Sequence, residues 1–283
     1  MVDLDLIGRH SAKFFSFYVP IPGIKADYHE VDFDNLYSAS EIVDLDENLL
    51  RTELEDLPCC ATNEDGTKDG DPLNLILIGT REDISTAFVC RGWLPAEQTH
   101  GKAVWKTIKS FLFGSRYRYS PVSPLYFVNR PQDFAGQKPR HTVHQRNHLR
   151  AWLSPLRHQG KSVWVGQISR DIGVRLTFKT WPPVTHKIDP DIDEARISLI
   201  GDLVYSQQLA KTGWVKGVGA AARTNPRYNL TGDPYFTDGY RAVLVFDRRP
   251  RSFMEIDQFD WEQPVSNRIE RLETDQEPDF DEH

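Results

Sequence analysis

The chain has 283 residues, 39% of them hydrophobic, enough to bury a full core, and its scattered Pro and Gly exclude collagen-like or disordered composition. No apolar run approaches the roughly 18 to 20 residues that span a bilayer, and the acidic opening "MVDLDLIGRH" is unlike a signal peptide, so a cytoplasmic chain is expected. The net charge of −7 is segregated: residues 1–72 hold 5 basic against 17 acidic residues, residues 248–283 hold 5 against 11, and residues 73–247 hold 24 against 13.

This pattern predicts a basic domain over 73–247 flanked by an acidic N-terminal arm with extended segments, 1–72, and an acidic tail, 248–283. Either the basic region meets an anionic partner or the arms fold back and neutralise it. The aromatic run "FFSFYVPIPGI" at 14–24 reads as an extended segment packed on the core, because Pro20 and Pro22 break any amphipathic helix that would dock on a membrane. Cys59, Cys60 and Cys90 are too few for a disulfide framework and match no zinc spacing, which points to a reducing compartment. The stretch "NEDGTKDGD" is a turn-rich loop.

Regular structure starts sharply after it. "LNLILIG" at 73–79 suits a buried central strand, and "REDISTAFVCRGW" places Ile84, Ala87 and Phe88 at helical spacing before Gly92. A second helix is expected over 102–113, with Val104, Trp105, Ile108, Phe111 and Leu112 on one face. "SPLYFVN" at 123–129, "KSVWVGQIS" at 161–169 and "AVLVFD" at 242–247 read as strands. In "HKIDPDIDEARISLIGDLV", Asp189 is the expected cap and Pro190 the first helical residue, followed by Asp191, Asp193 and Glu194 at the positive end of the dipole. The order predicts an α+β or mixed α/β domain: a largely antiparallel sheet with a few helices packed on one face.

The stretch "HTVHQRNHLR" at 141–150 has three readings. As a helix it aligns His141, His144 and His148 as metal ligands; as a strand it puts His144, Arg146, His148 and Arg150 on one face. The strand is preferred, because Pro139 precedes the run, "LSP" closes it, and 161–169 lies downstream as a hairpin partner. A His-Arg-His-Arg face needs an offsetting negative charge. That charge comes either from carboxylates on neighbouring elements, such as Asp133, Asp171 or those at 189–194, or from an anionic ligand held by the guanidinium forks. No nucleic-acid recognition pattern accompanies the basic region, and the acidic arms oppose a phosphate backbone.

"THKIDPDIDEAR" is rich in carboxylates but lacks the EF-hand Gly and Glu, so capping and an Asp–Arg pair account for it, with His186 left over. In "GDPYFTDGYRAV", Asp233 and Asp238 sit in turns placed to reach a site across a sheet edge. "KGVGAAARTN" is not a dinucleotide fingerprint, and no P-loop, G-x-S-x-G elbow or H-E-x-x-H is present.

Together "DPLNLILIG", "RGW", "SPVSPLYFVNRPQDFAGQK", "RNHLRAWLSP", "VWVGQISRDIGV", "THKIDPDIDEAR" and "GDPYFTDGYRAVL", over roughly 70–247, resemble the LssY-like C-terminal domain. Members of that family often follow membrane-spanning segments, sometimes downstream of a phosphatidic-acid-phosphatase-type domain. The resemblance therefore implies a setting in membrane lipid or envelope chemistry, although this sequence shows neither the preceding spans nor a phosphatase motif. The positions that match the family's polar pattern are Arg130, Asp133, Arg146, His148, Arg150, Asp171, His186, Asp189, Asp193 and Arg196.

The combined expectation is a domain that binds or hydrolyses an anionic small molecule or lipid head group. Arg146 and Arg150 hold the anion, His148 or His186 exchanges the proton, and Asp171 or Asp189 orients the imidazole. The rival is a non-catalytic interaction module at a membrane or a protein partner. No metal, cofactor or oligomeric state is indicated.

Overall fold

In the computed structural model, residues 2–8, 11–17, 32–95, 125–139, 146–176 and 184–264 are described. The chain divides into two units, Met1–Leu36 and Tyr37–His283. In the first, β1 (Val2–Gly8) pairs antiparallel with β2 (Ser11–Phe17). The helix expected over 102–113 lies outside the described residues, as do 141–145 with His141 and His144.

The second unit is mostly sheet with a few helices. Its elements begin with β3 (Val43–Leu45), α1 (Glu47–Asp56), β4 (Cys60–Thr62), β5 (Asp69–Pro72), β6 (Leu75–Ile78), α2 (Arg81–Cys90) and β7 (Leu94–Pro95). They continue with β8 (Tyr126–Phe127), β9 (Arg130–Pro131), β10 (Phe134–Pro139), β11 (Arg146–His158), β12 (Lys161–Leu176), β13 (Val184–Ile188) and the helix α3 (Ile192–Val204). The last are β14 (Leu209–Lys216), β15 (Arg227–Tyr228), β16 (Pro234–Tyr235), β17 (Tyr240–Phe246) and β18 (Asp257–Gln258).

Among the described residues the main sheet has ten strands, ordered β18-β14-β17-β6-β12-β11-β10-β7, with β13 added on β12 and β3 on β11. It is mixed: β17 with β6, β14 with β18 and β11 with β3 are parallel, and the other pairs are antiparallel. The length of β12 lets two strands share its flank, β6 beside Val163–Gly166 and β13 beside Asp171–Leu176. Between them the Asn74 side chain takes over the ladder, donating to the Ile168 carbonyl at 3.0 Å and accepting from its N–H at 2.9 Å.

Helices cover both faces, not one. Leu50 and Leu54 of α1 join Ile76, Ile78, Trp152, Val163, Val165, Val243 and Val245 in one core cluster. By strand alternation Phe246 points the other way, and there Phe88 of α2 packs 6.4 Å from it, ring centre to ring centre. The α3 helix is tied to that second face by Arg170, whose Nη1 lies 2.7 Å from Glu194, and by Lys138, 2.6 Å from Asp202.

Residues 43–72, grouped by charge with an acidic arm, thus carry β3, α1, β4 and β5, and Leu45, Leu50, Leu54 and Ala61 belong to the core. Asp46 caps α1 by accepting from the Asn48 and Leu49 N–H groups, and the two leucines on its buried face are spaced by four. On the C-terminal side, Phe259 and Trp261 stack with centroids 4.1 Å apart within the same core.

Three local expectations are corrected. Of the strand expected at 123–129, the described part, 125–129, holds only Tyr126–Phe127 as strand, because Val128 and Asn129 turn the chain with positive φ. The α3 cap is Asp191, which accepts from the Glu194 N–H, while Asp189 accepts from the Asp191 N–H and Pro190 stays outside the helix. β11 does not close at "LSP" but runs to His158.

Candidate functional site

On β11 the period of two puts Arg146, His148, Arg150 and Trp152 on one face. Trp152 belongs to the apolar core, so the same face changes from hydrocarbon to charge between Trp152 and Arg150. Register supplies the neighbours: Asp171, Ser169 and Gln167 of β12 lie opposite Arg146, His148 and Arg150, and Gln137 of β10 lies opposite His148 from the other side. Arg146, His148, Arg150 and Asp171 are all buried.

The contacts within this face are direct. His148 Nε2 lies 2.6 Å from Asp171 Oδ2. Arg146 donates to Gln137 Oε1 at 2.9 Å and Arg150 to Gln167 Oε1 at 3.0 Å. Arg150 also faces Asp71 of β5, with Nη1 3.7 Å from Oδ2. Asn229 in turn donates to Asp71 Oδ1 at 2.9 Å, and its own side-chain oxygen accepts from the Asp233 N–H at 2.9 Å. Asp233 therefore stands beside Asp71, at the margin of the cluster.

Burial pulls the Arg146 guanidinium below its ordinary pKa, offset in part by Asp171; it pulls Arg150 down too, offset by Asp71 and then Asp171. Asp71 is held above the usual carboxylate value. Its burial outweighs the attraction of Arg150 and the Asn229 hydrogen bond, and the Asp171 and Asp233 charges push it further up. Folding therefore favours protonated Asp71: that contribution to stability is complete below about pH 4 and is lost as pH rises through the higher folded-state value. Asp71→Asn removes this titration. The expected result is that urea midpoints of variant minus parent increase with pH across that window; parallel pH profiles would discard the assignment.

The remaining predicted residues fall elsewhere. Arg130 bonds Asp133 at 2.9 Å and the Leu153 carbonyl at 2.6 Å, and Asp133 also accepts from the Leu153 N–H at 2.7 Å, forming a tight corner at the end of β9. On the other face of the sheet, Arg196 contacts Asp238 at 2.6 Å and Asp193 at 3.3 Å, and its guanidinium lies 4.8 Å from the centre of the Trp214 ring. Asp193 accepts from Thr237 Oγ1 and the Asp238 N–H, so this trio fastens the start of α3 to the turn before β17. Asp189 pairs with Arg170 at 3.5 Å. His186 lies on β13 opposite Val174, beyond the register position of Asp171. The structure thus unites His148 with Asp171, Arg146 and Arg150, and separates Asp189 from them.

A family model described as the LssY C-terminus matches residues 51–240. The chain belongs to that family. The LssY C-terminal match takes in α1 from its second turn, all of β11 and β12, and the charged face between them. No curated protein and no solved structure matches the chain. Within this LssY domain, Asp71, Gln137, Gln167 and Asn229 are site neighbours that sequence reading missed. Gln137 and Gln167 carry no signal until register is known, and Asp71 looked like part of a loop. Among the described residues no helix is long and apolar enough to cross a membrane.

Proposed function

We infer that the charged half of the β11–β12 face binds an anionic group, a phosphate or carboxylate carried by a small molecule or a lipid head group. One observation carries this reading: the His148–Asp171 pair, at 2.6 Å, is buried between two arginines on the same strand face. Two guanidiniums present forks suited to an oxyanion, and a carboxylate against the imidazole orients it. Protonation of Asp71 removes the negative charge facing Arg150, so binding strengthens as pH falls through the Asp71 value. The separation of Asp189 from His148 favours binding with proton exchange by one pair over a larger hydrolytic centre.

Thermal unfolding and calorimetry with inorganic phosphate, glycerol phosphate and acetate test the reading, and flotation with phosphatidic acid or phosphatidylcholine vesicles separates a lipid source from a soluble one. The native chain is expected to bind at least one anion, with Arg150→Lys and Arg146→Lys each weakening it about tenfold, because lysine keeps the charge but loses the fork. If no anion stabilises the native chain beyond matched sodium chloride, the reading is lost.

A further inference from the structure

Cys59 and Cys60 are joined to each other by a disulfide, and Cys90, exposed on α2, is the remaining thiol. The pair lies at the start of β4, with Cys60 buried and Cys59 partly exposed. Its surroundings are chemically specific. Arg227 Nη2 lies 3.4 Å from Cys59 Sγ and 3.9 Å from Cys60 Sγ, and its Nη1 is anchored on the Val218 carbonyl at 2.8 Å. The Tyr235 hydroxyl stands 3.9 Å from Cys60 Sγ, and Arg227 and Tyr235 face each other in the β15–β16 register. A disulfide sulfur is a weak acceptor, so an anchored guanidinium gains little from it; beside a thiolate the same group gains a full charge interaction and lowers the thiol pKa.

We propose that Cys59–Cys60 is a redox-active vicinal couple that exchanges with an external dithiol, with Arg227 stabilising the thiolate form. In reduction, a thiolate of the external dithiol attacks Cys59 Sγ, the more accessible sulfur. The sulfur–sulfur bond breaks, and Cys60 leaves as a thiolate that accepts a hydrogen bond from Tyr235. The second external thiol then attacks the mixed disulfide as its thiolate and expels Cys59 as a thiolate beside Arg227. The external dithiol becomes a disulfide, and two electrons and two protons pass to the pair.

The test uses the full chain equilibrated in dithiothreitol buffers from fully reduced to fully oxidised. Thiol titration in denaturant is expected to read three thiols at the reduced end and one at the oxidised end, with an intact-mass difference of about 2 Da and no dimer. Three thiols throughout, or oxidation only through intermolecular bonds, would overturn the proposal. In the reduced protein, Arg227→Gln is expected to slow iodoacetamide labelling of Cys59 about fivefold at neutral pH while Cys90 is unaffected. Equal slowing at both cysteines, or none at Cys59, removes Arg227 from the mechanism. The thiol count is made on the unaltered chain, so it stands whether or not the variant folds.

Discussion

Arg241→Met is expected to lower the unfolding free energy by about 3–5 kcal/mol. Arg241 has no exposure to solvent. Its Nε donates to the Leu73 carbonyl at 2.9 Å; Nη1 donates to Leu54 at 2.7 Å and Lys216 at 3.1 Å; Nη2 donates to Leu57 at 2.9 Å, Pro58 at 2.7 Å and Gly217 at 3.2 Å. All acceptors are backbone carbonyls. Leu54 and Leu57 belong to the last turn and cap of α1, where carbonyls lack helical partners and no basic residue of the helix itself answers the dipole. A side chain from β17 thus supplies the C-terminal cap of α1 and ties it to β14 and to the segment before β6.

Burial pulls the Arg241 pKa down to about 10, which still leaves it cationic at neutral pH. Methionine fills part of the volume and satisfies none of the carbonyls. Lysine keeps the charge with fewer donors and is expected to lose about 1–3 kcal/mol. Gly217 belongs to the same unit: it has φ +133°, and a Cβ there would stand 1.7 Å from Arg241 Nη1. Urea unfolding followed by tryptophan fluorescence measures both variants; an Arg241→Met midpoint close to the parent's would show that the carbonyls find other donors.

No pattern in the sequence announces this arginine, because its acceptors come from three distant segments and only tertiary packing brings them together. What sequence could reveal was periodic within one element. The apolar runs of β6 and β17 were legible because burial on both faces makes such a run continuous, and the charged parity along β11 because successive side chains of a strand point to opposite faces. α1 carried equally clear signals in Asp46, Leu50 and Leu54, but the surrounding negative charge drew attention to the arm rather than to the helix, and the one-face arrangement followed from that omission.

Relations between elements were not legible. The start of α3 moved from Asp189 to Asp191 because Val184–Ile188 pairs with β12 and because the Pro190 carbonyl accepts from the Phe236 N–H, holding residues 189–191 in a bridge. The same register, shifted between Asp171 and Gly173, sets His186 opposite Val174 and sends Asp189 to Arg170. Of the four residues proposed for catalysis, the structure therefore brings together His148 and Asp171, which lie on adjacent strands near the same register, and separates Asp189, whose approach depended on a third strand. Arg146 and Arg150 were legible for the simplest reason: they share a strand and a parity with His148.

Asp171→Asn is the second large expected effect, about 3 kcal/mol of lost stability at neutral pH. Asn keeps the shape and one accepting oxygen but turns the other into a donor, so the loss reports the charge together with one acceptor. Asp171 stands opposite Arg146 in register, lies against His148, and its charge also acts on Arg150. Without it, the carboxylate opposite Arg146 and beside His148 is gone, and Asp71, which faces Arg150, is held above the usual carboxylate value by burial. A face left with excess positive charge in a dry environment is stabilised by any anion that fits it. Phosphate is therefore expected to raise the urea midpoint of Asp171→Asn more than that of the parent, with the logarithmic dependence on ligand concentration that binding to the folded state alone imposes. Chloride at matched ionic strength supplies the control. A double-mutant cycle with His148→Gln is expected to give a coupling above about 1 kcal/mol, as for residues in one buried network. If Asp171→Asn loses stability and phosphate restores none of it, the carboxylates already close this face as an internal charge ladder, and its arginines serve the fold rather than a ligand.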